Sequence, residues 1–220
     1  MKRLLFLFIL AIIGVKAQSQ QWMVTYTPTI VQCPEWKIGL QPGIGYRFNS
    51  RWEAIMECAF PISQTPDSFT VSNKYFRIKP ELRYFLSSSH SPLRAYIGIQ
   101  MLYVSRSWKR TGSDSYFESI KNKDSIIDFS SATIHSPVFA ASVQSGAVLM
   151  CSNHFALDAF LGMGVRVINT HYNNVADPIK KEYLYLLKCG NPFSPPAAYI
   201  YSGIVSRFQL NMGLRLLYVF

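Results

Sequence analysis

Four histidines and four cysteines are the side chains from which a nucleophilic or metal site could be assembled. They are His90, His135, His154 and His171, and Cys33, Cys58, Cys151 and Cys189. Neither set shows the close spacing of metal ligands, which often recur about two to four residues apart. Hydrolytic chemistry needs a histidine within hydrogen-bond reach of a serine or an acid. His135 and Ser136 are adjacent, but neighbours in an extended chain point to opposite faces. His171 is the best placed, at the end of a strand pattern, with no evident partner. The histidines therefore read as surface residues. The chain reads as no enzyme, and neither a metal nor a cofactor is expected.

A second set of residues recurs on alternate positions. Glu53 and Glu57 share one parity, as do Arg77, Lys79, Glu81 and Arg83. Asp158 and Arg166 fall in one segment, and Arg207 and Arg215 in another. Arg47, Gln100, Gln144, Gln209 and Asn211 fall on the same kind of face. A spacing of two keeps side chains on one side of a strand. If that side is interior, its chemistry is ion pairing, because an unpaired buried charge costs several kcal/mol. The expected pairs are Glu53 or Glu57 with Arg77, Lys79 or Arg83, and Asp158 with Arg215. Bases outnumber acids in the set. A narrow anion-favouring pore is therefore the alternative to a salt-bridged filling.

Eight segments can carry these residues: Trp22–Val31, Lys37–Phe48, Arg51–Ile62, Lys74–Leu86, Leu93–Trp108, Pro137–Met150, His154–Tyr172 and Ile204–Phe220. In the second, Ile38, Leu40, Pro42, Ile44, Tyr46 and Phe48 oppose Lys37, Gly39, Gln41, Gly43, Gly45 and Arg47. Such alternation is the mark of strands with one apolar face. Pro28, Pro42 and Pro80 fall inside segments, where missing ladder bonds or bulges are expected. The connections alternate strictly between short and long. "NS", "SSSHSP" and "CSN" are short, whereas Lys109–Ser136 and Asn173–Gly203 read as large loops. "ADPIKKEYLYLLKCGNPFSPPAAYIYS" in the last of these suggests a short helix mixed with a Pro-rich, aromatic stretch. The large loops are the expected recognition surface.

Short turns on one side, long loops on the other and an even strand number describe a transmembrane β-barrel. The fold expected is an all-β, eight-stranded antiparallel up-and-down barrel. The rival is a lipocalin-like soluble binder with an apolar cavity and a polar exterior. Three features oppose it. The polar face is rich in glycine, aromatics cluster at both ends of the apolar face, and no Gly-x-Trp signature stands near the first strand. An interior crowded by long charged side chains gives the glycines a reason.

The first residues, "MKRLLFLFILAIIGVKAQSQ", read as a secretory signal peptide cleaved after Ala17, leaving residues 18–220 as one barrel domain. Losing Lys2, Arg3 and Lys16 lowers the formal charge from +10 to +7. Mean hydropathy is slightly positive, yet no second long apolar run follows, which excludes a helical membrane protein. No nucleic-acid motif appears. Export permits disulfides. Cys33 and Cys189 fall in loops on one side of neighbouring strands, so a bridge between them is expected.

The pattern resembles the small OmpA/OmpX-like outer-membrane barrels of Gram-negative bacteria. Asn211, Gly213, Leu216, Tyr218 and Phe220 match the C-terminal assembly signal of such barrels. "PELRYFL" and "LDAFLGMGVRV" look like strands of uncharacterised Bacteroidota barrels. The resemblance implies insertion by the β-barrel assembly machinery, a location in outer-membrane lipid, a monomer, and an extracellular partner for the loops.

Overall fold

The computed structural model describes residues 21–32, 36–62, 70–87, 91–120, 123–182 and 201–220. Its strands are β1 (Gln21–Tyr26), β2 (Thr29–Gln32), β3 (Trp36–Leu40), β4 (Pro42–Arg47), β5 (Trp52–Pro61) and β6 (Thr70–Phe85). They continue as β7 (Leu93–Ile120), β8 (Lys123–His135), β9 (Val138–Met150), β10 (Phe155–Ala176), β11 (Ile179–Glu182) and β12 (Gly203–Val219). No described residue is helical.

Antiparallel pairing runs β1–β4–β5–β6–β7–β9–β10–β12 and returns from β12 to β1. The ring is closed, with eight staves. Closure gives each stave a partner on both sides and leaves no free edge among the described staves. Two staves are broken. The first pauses at Thr27 and Pro28 between β1 and β2, and the second at Gln41 between β3 and β4. Pro28 and Pro42 thus sit at interruptions, where a missing N–H costs least. Pro80 lies inside β6. There the β6–β7 ladder keeps its frame from Ile78↔Tyr103 to Glu81↔Gln100 but skips Lys79 and Pro80.

The short turns are built locally. Asn49 Oδ1 accepts from the amides of Arg51 (2.8 Å) and Trp52 (2.9 Å). Ser152 Oγ accepts from the Phe155 amide at 3.1 Å. Short polar side chains favour such turns because they bond their own backbone.

Lys109–Ser136 is not a loop. β7 runs on to Ile120 and turns back as β8, which pairs with β7, with the end of β10 and with β11. This extension has its own packing. Tyr116, Ile127, Phe129 and Ala132 are buried together against Tyr172 and Val175, and Trp108 packs on Ile134. Ile179–Glu182, within the stretch expected to hold a short helix, is strand β11. Residues 183–200, like residues 1–20, lie outside the described residues.

Parity decides the two surfaces. Ile44, Met56, Leu82, Ile99, Met101, Val143, Leu161, Met163, Leu210, Met212 and Leu214 are exposed. Glu53, Glu57, Lys79, Glu81, Arg83, Asp158 and Arg215 are almost fully buried. Soluble monomers rarely expose so continuous an apolar face. The arrangement is the reverse of a lipocalin-like binder, whose cavity is apolar and whose outside is polar. Aromatic contacts line the short-turn end of the outer face: Trp22 with Tyr46, Tyr46 with Phe48, Trp52 with Tyr84, and Tyr218 with both Phe155 and Phe220. Tyr103 and Phe139 pair farther toward the long-connection side.

Candidate functional site: the charged interior

The ladder sets acids opposite bases. Glu53 is registered against Arg47 on β4 and Arg83 on β6, Glu57 against Lys79, and Asp158 against Arg215. Cross-strand partners on one face stand close enough for side chains to meet. Lys79 Nζ lies 2.6 Å from Glu57 Oε2, and Arg47 Nη2 3.2 Å from Glu53 Oε2. Arg83 bonds Glu81 through Nε, Glu53 at 3.4 Å and Asp158 at 2.6 Å.

Arg215 joins these pairs into one network. Its guanidinium donates to Glu57 Oε1 (2.8 Å) and Oε2 (3.0 Å), to Glu81 Oε2 (2.8 Å) and to Asp158 Oδ2 (2.9 Å). The planar, five-donor guanidinium suits such branching, whereas a lysine presents a point charge. Neutral groups fill the remaining lone pairs. Thr27 Oγ1 donates to Glu57 at 2.6 Å, Gln41 Nε2 to Glu57 at 2.8 Å, and Tyr96 Oη to Asp158 at 2.9 Å. Thr27 and Gln41 sit at the two broken staves, so those breaks also supply partners to Glu57. Four acids (Glu53, Glu57, Glu81, Asp158) face four bases (Arg47, Lys79, Arg83, Arg215), and the ionised network is neutral.

Layers bracket the network. On the short-turn side, Met23, Phe85, Tyr96, Val148, Ala156, Phe160, Leu217 and Val219 form a buried apolar floor. On the other side Asn211 Nδ2 donates to Gln100 Oε1 (2.7 Å) and Gln144 Oε1 (3.3 Å). The inward glycines make the room. A Cβ at Gly43 would stand 2.6 Å from Glu57 Cγ, and one at Gly146 2.5 Å from the Tyr96 ring.

Arg77, expected to pair with Glu53 or Glu57, instead donates to Thr29 Oγ1 at 3.2 Å. Arg166 and Arg207 are registered opposite each other, away from the network. Gly213 and Asn211 face inward on β12, while Leu216, Tyr218 and Phe220 are exposed on the outer face. Cys58 faces outward and Cys151 lies in a short turn, both free. The expected Cys33–Cys189 bridge falls outside the described residues, as does His90. His135 and His171, far apart in sequence, are registered opposite each other on the outer face. Ser136 is buried and bonds Arg106 and Thr170. His154 Nδ1 lies 3.0 Å from the Val219 carbonyl oxygen. Among the described residues no three or more His, Cys, Asp or Glu side chains gather as metal ligands. Gln41 lies on the polar parity already read from the second segment, whereas alternation alone does not single out Tyr96, Phe160 or Thr27 as parts of the filling. Their neutral side chains carry no charge pattern to flag them.

These features define a closed β-barrel, apolar outside and ion-paired within. Among solved structures the chain is similar to Neisserial surface protein A (NspA). The identity is 15%, over 91% of this chain and 96% of that one, with a TM-score of 0.39. It is also similar to a major outer membrane protein from Thermus thermophilus. There the identity is 11%, over 92% of this chain and all of that one, with a TM-score of 0.41. No family model matches the chain, and no curated protein matches it.

Proposed function

We propose that this chain is an outer-membrane β-barrel with a filled interior. In this reading it acts through the structure it carries beyond the membrane, as a recognition or structural element and not as an enzyme. The observation that carries the reading is the inverted surface, an exposed aliphatic belt over a buried neutral charge network. On β10 the outward positions from Phe155 to Val165 are apolar, a length that suits a tilted transmembrane strand of about 9–11 residues. Trp22, Tyr46, Trp52, Tyr84 and Tyr218 would lie at one membrane interface, where amphipathic rings are favoured. Lipid would cover the belt, and the β-barrel assembly machinery would insert the chain as a monomer.

The β7–β8 extension with its own core supplies a shaped surface for an extracellular partner. Rigid scaffolds that present such segments commonly carry recognition. A conducting pore is the second reading, and the network with its apolar floor disfavours it. Eight staves leave a lumen just wide enough for side chains to fill.

Fractionation with a heat-shift gel assay tests the reading. Recovery in the outer-membrane fraction, with a folded band that shifts on boiling, is the expected result. Recovery as a soluble periplasmic protein would overturn it. Planar-bilayer recording should then show no stepwise conductance, whereas steady channels would replace the filled barrel by the pore.

A further inference from the structure

The spacing that the histidines lack along the chain is supplied by the ladder. His135 is the last residue of β8, and His171 lies near the end of β10. They are direct cross-strand partners and form the first rung of the β8–β10 pairing. The β9–β10 pairing ends just before it, at Ile168↔Val138. The pair therefore stands on the seam where β10 leaves the ring and joins the extension. Both side chains are exposed on the outer face, beyond the rung that pairs Val167 with Phe139. Residues directly opposite on one face hold their Cβ atoms about 4.5–5.5 Å apart. Two imidazoles on such a rung can converge on one ion, with metal–nitrogen bonds of about 2.0–2.1 Å. Asn169 stands on the same face two residues before His171, and its shielded Oδ1 has no hydrogen-bond partner. A shielded polar atom left unpaired in this way marks a place for a missing partner. The other outward neighbours are Ser107 on β7, Thr133 on β8 and Asn173 on β10, with Lys74 and Lys109 on the flanking positions. None of these ladder neighbours is acidic. A donor set of imidazole and amide oxygen suits Zn2+, Ni2+ or Cu2+, whereas Mg2+ and Ca2+ seek carboxylates.

We propose that His135 and His171 are the protein ligands of a divalent transition-metal ion of the Zn2+ class, with the Asn169 amide oxygen beside them and the remaining positions left to water. Two histidines make an open site, unlike the four protein ligands of a closed structural zinc centre. The bound ion staples the end of β8 to β10 and so fixes the extension against the barrel wall. An ion that binds only the folded state stabilises the rung it bridges. The site goes beyond the role given to the extension and does not depend on it.

The test is titration calorimetry of the folded barrel, free of any histidine tag, in detergent with Zn2+. Saturable binding near one ion per chain is expected. His135→Gln and His171→Gln should each weaken it about tenfold or more, since even an outer-shell partner of a metal is worth about 10–100-fold. Cys151 and His154 share a short turn at the other end of the barrel and are the competing donors. The double variant Cys151→Ser, His154→Gln should leave binding unchanged. Zn2+ should also slow proteolysis between Arg110 and His135 in the wild type and not in His171→Gln. The heat-shift assay reports whether each variant is folded. Should neither glutamine variant fold, Cu2+ bound to the wild-type barrel carries the test, and its electron paramagnetic resonance spectrum should show two imidazole nitrogens. Absence of saturable Zn2+ heat from the wild type would overturn the proposal, as would a Cu2+ spectrum without imidazole nitrogen. So would an equal loss of binding in the double variant. Binding that leaves proteolysis unchanged would overturn the staple.

Discussion

Asp158 and Arg215 face each other across the β10–β12 ladder, and Asp158 Oδ2 accepts from Arg215 Nη1 at 2.9 Å. The same oxygen accepts from Arg83 Nη2 at 2.6 Å. One carboxylate therefore holds two buried guanidinium groups. Replacing it by Asn leaves both with excess positive charge in a closed lumen. Breaking a buried pair by removing one partner costs about 3–5 kcal/mol. Asp158→Asn should lower the unfolding midpoint of the detergent-folded barrel accordingly, read as loss of the heat-shifted band with denaturant. Ala159→Leu, one residue away on the exposed face, should be nearly neutral. Equal effects of the two would contradict the assigned parity.

Gly146 tests the crowding of the interior. A Cβ there meets the Tyr96 ring at 2.5 Å and the Ala159 carbonyl oxygen at 2.7 Å. The carbonyl belongs to the ladder and cannot yield cheaply. Overpacking of this kind costs about 1–3 kcal/mol. Gly146→Ala should therefore destabilise the barrel, and Gly146→Val more so, in the same denaturant assay. Ala147→Val, outward on the same strand, is the control.

The closed ring, its stave number and the inward face of every charged residue in the network follow from period-two alternation. That pattern is strong because one face must be apolar along the whole stave. Opposition of Glu57 to Lys79, or of Asp158 to Arg215, needs only neighbouring strands joined by short turns. The role of Arg77 was not legible, because its partner Thr29 lies on a strand that is not its ladder neighbour. The β7–β8 extension was hidden for a different reason. Its register shifts between Thr111 and Asp114, beside Gly112 at φ +104°. Such a bulge interrupts the ladder, and the segment beyond Trp108 then reads as a loop. Tyr96 and Phe160 were missed because aromatics on a strand read equally well as outward residues.

In the proposed reading the extension lies outside the membrane, and Tyr116 reports on it. Burial is the main cause that raises its phenol above the ordinary value, and Glu118 adds to it. The folded state therefore holds the proton more tightly than the unfolded chain. Tyr116 therefore contributes stability that is fully present below the unfolded value of 10.0 and is lost as pH rises through the higher folded value. Ultraviolet titration of the folded barrel should show one late-ionising phenol fewer in Tyr116→Phe. Ionisation at or below the ordinary value would mean that the extension does not pack as described.

Tyr172 stacks on Tyr116 with ring centroids 3.9 Å apart and lies 6.0 Å from Phe129. The cluster sits on β7, β8 and the end of β10, beyond the part of β10 that pairs with β9. Tyr172→Ala removes the partly buried ring that joins β10 to the hairpin, a loss below the about 3–5 kcal/mol of a fully buried large aromatic. The charged network shares no residue with this cluster, and distant sites without shared partners behave additively. The loss should therefore fall on the extension alone. Limited proteolysis of the folded variant should cut between Arg110 and His135 faster than in the wild type. The heat-shifted band of the protected barrel should persist. Loss of that band together with the extension would mean that the two fold as one cooperative unit, and the extension could not then be treated as a surface carried by an independent scaffold.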